Sequence, residues 1–132
     1  MSDRLIVVST DCHAGLPIAD YKPYVESKYH EMMDLAVPVT IEMMEKAEST
    51  FLIKEINDAW RAPIKKELAG AWDYSERLNM LATDGIAAEV IFPDGITEKN
   101  TPPFGAGLGL SPRDMMPELQ WAGAMAHNRW LV

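Results

Sequence analysis

The chain has 132 residues, 48% of them hydrophobic and 24% charged, which fits one modest domain with a core and excludes a disordered chain or a two-domain protein. Twelve basic against 20 acidic residues leave a formal charge of −8, so there is no basic footprint for nucleic acid, and anionic lipid would repel such a surface. No apolar run approaches the roughly 20 residues of a membrane span. The opening "MSDRLIVVST" has too short an apolar run for a signal peptide, and one cysteine cannot form an internal disulfide. The expectation is a cytoplasmic protein with neither a membrane nor a nucleic-acid partner.

Residues 4 to 10, "RLIVVST", are short and β-branched and read as a strand buried on both faces, as in parallel sheets. A loop with Gly15 and Pro17 follows. "DYKPYVESKYHEMMD" (20–34) reads as a helix with Pro23 near its start, where the missing N–H is tolerated. "TIEMMEKAESTFLIKEINDAW" (40–60) is a second helical stretch in which "STFLI" could be extended.

In "WDYSERLNMLATDG", Asp73 and Glu76 have the spacing of a capping box. Tyr74, Leu78, Leu81 and Ala82 fall on one apolar face, and Gly85 can supply a left-handed stop. "IAAEVIFP" (86–93) is then a second doubly buried strand. A Gly/Pro-rich loop runs from 94 to about 110. "SPRD" (111–114) opens another helix, with a kink or fresh start at Pro117. Leu119, Ala122, Ala126 and Trp130 form the stripe of the last helix. The order strand, helical insert, helix, strand, loop, helix belongs to an α/β protein with parallel strands.

The chemistry concentrates at "TDCH". Residues two apart in a strand project from the same face, so Asp11 and His13 point together and Cys12 points away. A carboxylate and an imidazole converging where a strand ends suit a divalent metal, zinc first among them. The alternative is a polar turn in which Asp11 caps the loop and His13 is exposed.

Three segments, "STDCHAGLP", "WDYSERLNMLATDGIAAEVIFP" and "AHNRWL", together resemble the amidohydrolase-related family of metal-dependent hydrolases and decarboxylases. The resemblance implies the first one to two β/α units of a (β/α)8 TIM barrel, with a helical insertion after the first strand. It implies Asp11 and His13 as first-strand metal ligands, where much of the family has H-x-H. In the decarboxylase branch an arginine in W-D-x-x-x-R contacts a substrate carboxylate, and Trp72, Asp73 and Arg77 fit that pattern. Arg77 has a plainer reading too, as a helix arginine paired with Asp73 at i+4.

A complete barrel takes about 250 residues. The remaining ligands are expected beyond residue 132, so the whole chain, 1–132, reads as the truncated N-terminal portion of a barrel domain. By itself it should be weakly folded and catalytically inert. The expected full-length enzyme attacks a small organic substrate with a metal-activated water, or decarboxylates an aromatic or unsaturated carboxylate. A homo-oligomer is open for it, and no catalytic residue can be named. His30 reads as a solvated helix residue, His127 as part of the last helix's docking face, and "GAGLG" (105–109) as a loop over the site. Two rivals remain: a non-catalytic helical module that binds a partner through residues 20–60, and a small fold that completes its sheet by oligomerising.

Overall fold

The computed structural model describes residues 5–93, 100–106 and 116–132. The first strand, β1, spans Val7–Ala14, later than the apolar run suggests, so "DCH" lies inside it. The 3-10 turns Ile18–Tyr24 and Ser27–Tyr29 carry the chain past Pro23 into helix α1, His30–Phe51. Leu52 and Ile53 are extended, as "STFLI" allows, and α2 (Lys54–Arg61) folds back. The Glu48 carboxylate holds that return, accepting from Arg61 Nη1 at 2.8 Å and from Asn57 Nδ2 at 3.2 Å.

A short helix, α3 (Lys65–Leu68), and a 3-10 turn (Ala69–Ala71) lead into α4 (Tyr74–Asp84). Asp73 caps α4, with Oδ1 accepting from Ser75 N at 2.9 Å and Glu76 N at 3.1 Å. Glu76 does not complete the box, because Asp73 N is already taken by the Ala69 carbonyl. Gly85, at φ 71°, ends the helix in the left-handed region. Strand β2 follows as Ile86–Pro93, and α5 starts afresh with Pro117 at its first position and runs to Leu131. The "SPRD" start and most of "GAGLG" lie outside the described residues. Among the described residues, no helix is long and apolar enough to cross a membrane.

The strands pair in parallel, as expected of an α/β chain. The expected incomplete (β/α)8 barrel is not what the chain forms. Among the described residues the sheet has two strands and there are five helices, of which α1 and α5 border the main core cluster, which lies apart from the strands. Tyr21, Val25, Met33, Phe104, Leu119, Ala122 and Ala126 make that core, between the Ile18–Tyr24 turn, α1, a 3-10 turn at Pro103–Gly105 and α5. The strands are not buried on both faces: Val7, Val8, Val90 and Phe92 are 39% to 49% exposed. An apolar β-branched run records what a strand could bury, whereas a barrel wall needs neighbouring strands to bury it. The expected apolar face of α4 is corrected too. Tyr74 and Leu78 face solvent, while Arg77 and Leu81 turn inward.

Two contacts hold the core. At Gly123, α5 passes so close to the Pro103 turn that an added Cβ would lie 2.0 Å from the Pro103 carbonyl oxygen. The Tyr21 hydroxyl, in the core, accepts from Leu16 N at 3.1 Å and shares a 2.8 Å hydrogen bond with His127 Nδ1. His127 is thus a buried anchor of the last helix's docking face. His30 is half-buried at the start of α1, its Nε2 3.0 Å from the Val25 carbonyl.

Gly123→Ala should lower stability by about 1–3 kcal/mol or more, read as a lower urea midpoint, because backbone must move to admit the methyl. Tyr21→Phe should cost about 1–3 kcal/mol at neutral pH by leaving the Leu16 amide and His127 short of a partner. Burial pushes the Tyr21 phenol above its ordinary 10.0, and the Leu16 bond opposes part of that rise. Tyr21 therefore contributes in full below about pH 10 and is lost as pH rises toward its folded value. Urea melts from pH 8 to 11 should show a shallower alkaline decline for Tyr21→Phe than for the wild type.

Candidate functional site

The site is built where the parallel strands end. β1 pairs with β2 in the register Ser9↔Glu89, Cys12↔Ile91 and His13↔Phe92. Between Ser9 and Cys12 the first strand advances three residues while the second advances two, which is a bulge. It sets Ser9 and Cys12 side by side, with the Cys12 thiol donating to Ser9 Oγ at 3.0 Å. Asp11 and His13 project together, with Asp11 Oδ1 and His13 Nε2 3.7 Å apart. Their side chains are 88% and 42% exposed, so a solvent-borne ion can reach both. The His13 ring rests against Phe92 across the pair, centroids 5.9 Å apart, which limits its rotation.

Two donors bound to one zinc at about 2.0–2.2 Å, with tetrahedral angles, lie roughly 3.3 Å apart. The observed 3.7 Å needs only a small side-chain rotation to meet that. A hard carboxylate oxygen and a borderline imidazole nitrogen are chemically suited to zinc. The pair fits half a centre, since stable sites use three or four protein ligands. Among the described residues, no group of three or more His, Cys, Asp or Glu side chains is placed to hold an ion.

Arg77 lies on the other side of the strand pair. Its Nε and Nη2 donate to the two oxygens of Glu89, the latter at 2.8 Å, and Nη1 donates to the carbonyls of His13 at 3.2 Å and Gly70 at 3.0 Å. The expected i+4 partner Asp73 is occupied as the helix cap. The arginine and Glu89 side chains are only 17% and 10% exposed. A substrate carboxylate at Arg77 would have to compete with Glu89 for the same fork. Arg77 and Glu89, with Cys12, His13, Glu67 and Asp84, border a cleft of about 280 Å³.

Glu89 was not singled out from the sequence, although it is the lone charge within the apolar "IAAEVIFP". A charge in that setting implies a buried partner. Phe92 gave no signal, since its contact with His13 depends on register. Asn100 gave none either. Its side chain is fully buried, and its amide has no hydrogen-bond partner among the described residues.

Compared with known proteins, the chain matches no family model, no curated protein and no solved structure. The geometry of its own residues therefore carries the functional argument.

The Arg77 hydrogen bonds hold the Glu89 carboxyl below its ordinary 4.5, with burial opposing and the Cys12 thiol adding a smaller push downward. The ion pair thus stabilises the fold in full above about pH 4.5 and is lost as pH falls through the lower folded value. Glu89→Gln should cost about 1–3 kcal/mol at pH 7. The gap to wild type should narrow in urea melts taken from pH 5 down to pH 3.

Proposed function

We propose that Asp11 and His13 are part of a divalent-metal centre, zinc by the chemistry of the pair, in a hydrolase that acts on a small organic substrate. One observation carries this: the carboxylate and imidazole converge at 3.7 Å beside the C-terminal ends of two parallel strands, open to solvent. Parallel α/β folds place their chemistry at that end, where side chains leave the sheet and meet loops. The resemblance of the three segments to the amidohydrolase-related family points the same way. Zinc in such a site supplies Lewis acidity, making water acidic enough to act as a nucleophile near neutral pH and polarising the scissile group.

The chain's own residues have distinct parts in this reading. Asp11 supplies negative charge and a hard oxygen donor. His13 supplies a neutral nitrogen whose ring direction is limited by Phe92. Both sit on the exposed side, so a substrate can approach without the core opening. The remaining ligands and the general base come from outside the described residues. The single free cysteine suits a reducing cytoplasm.

Calorimetric titration with zinc tests the proposal. Wild type should bind one ion weakly, with a dissociation constant of about 10 μM or above, since two protein ligands hold less than a full set. His13→Ala should abolish the binding and Asp11→Asn should weaken it at least about tenfold, while thermal melts of both variants stay near wild type. Equal zinc uptake by wild type and His13→Ala would end the reading.

A further inference from the structure

We infer that Arg77 is a positioning residue for His13: its guanidinium clamps the end of β1 to β2 and to the turn before α4, and so fixes the direction in which the imidazole projects. The inference rests on the metal reading for its functional meaning, and on hydrogen bonds alone for its mechanics.

A side chain's direction is set by the backbone on either side of its Cα and by whatever packs on the ring. At His13 the backbone on the C-terminal side and the ring are both held. The carbonyl accepts from Arg77 Nη1 at 3.2 Å. Two residues on, Gly15 N donates to the Ala71 carbonyl at 2.9 Å, within the same 69–71 turn whose Gly70 carbonyl Arg77 grips at 3.0 Å. The ring rests on Phe92. Glu89 completes the brace by holding the guanidinium through both oxygens, so the fork itself cannot swing.

Only a planar guanidinium does all of this at once. An ammonium is a compact charge on a flexible stem; it can pair with Glu89 but cannot also span two carbonyls in fixed directions. Arg77→Lys therefore separates charge from reach. It keeps the ion pair and gives up the bracket around His13. The cleft beside Cys12 follows from the same arrangement, with Arg77 and Glu89 paired in its wall and His13 at its border.

The test uses the full chain without metal first. Amide hydrogen exchange by NMR should be at least about tenfold faster at His13, Ala14 and Gly15 in Arg77→Lys, with α5 and the Tyr21 core unchanged. Zinc affinity should then fall about tenfold, the usual size of an effect from a residue behind a ligand. Glu89→Gln, which loosens the fork without removing it, should show the same pattern at smaller amplitude, and it serves as the second variant if the lysine chain does not fold.

Exchange at His13 within twofold of wild type in a folded variant overturns the inference, as does acceleration spread evenly over the whole molecule. A wild-type chain that takes up no zinc ends the metal reading instead and leaves the clamp to be decided by exchange alone. Faster exchange at the three amides with unaltered zinc affinity overturns the link between clamp and metal.

Discussion

One mostly buried ion pair organises the strand-bearing half of this molecule. Arg77 on α4 and Glu89 on β2 meet with little water around them, and a charge left alone there would be costly. The pair is tolerable because it is bidentate and because the spare donors of the guanidinium find carbonyls at Gly70 and His13. That single set of bonds fixes how α4 lies against the sheet. It also fixes where β1 ends relative to the turn before α4.

A consequence is that the strand pair has two unlike sides. One carries the ion pair, Ser9 and Cys12, all engaged with one another or with α4. The other carries Asp11, His13 and Phe92, with His13 beside each of the other two and all three exposed to solvent. The bulge between Ser9 and Cys12 makes this division possible, since it changes which residues share a side partway along the strand. Chemistry requiring a solvent-borne ion belongs on the open side, and the stabilising bonds belong on the closed one. The separation lets Asp11 and His13 stay exposed without weakening the fold.

The hydrophobic core lies elsewhere, around Tyr21, Met33, Phe104 and the small-residue face of α5. Of the strands, Ala14 at the end of β1 is fully buried, but it lies outside that cluster. This explains how the segment 18–51 and α5 can hold together while both strands keep much of their apolar surface in water. It also sets the limit of periodicity as a guide. In "RLIVVST" and "IAAEVIFP" the residue types signal strands correctly, but burial depends on which elements come to cover them. Here α4 covers one side in part, through Arg77 and Leu81, and its more apolar residues Tyr74 and Leu78 point outward.

What the sequence determined by itself is local. The Asp73 cap, the left-handed Gly85, the fresh start at Pro117, the extended break near Leu52 and the stripe Leu119–Ala122–Ala126 all follow from interactions within a few residues. The common side of Asp11 and His13 follows from the two-residue repeat of a strand. Tertiary structure decided the rest. It sent Arg77 to Glu89 across the sheet instead of to Asp73 along the helix, set Phe92 beneath His13 and put the core beside Tyr21. It also left the sheet at two strands among the described residues instead of a growing barrel. Those outcomes depend on register and on the packing of distant segments, and nothing within a window of neighbouring residues encodes either.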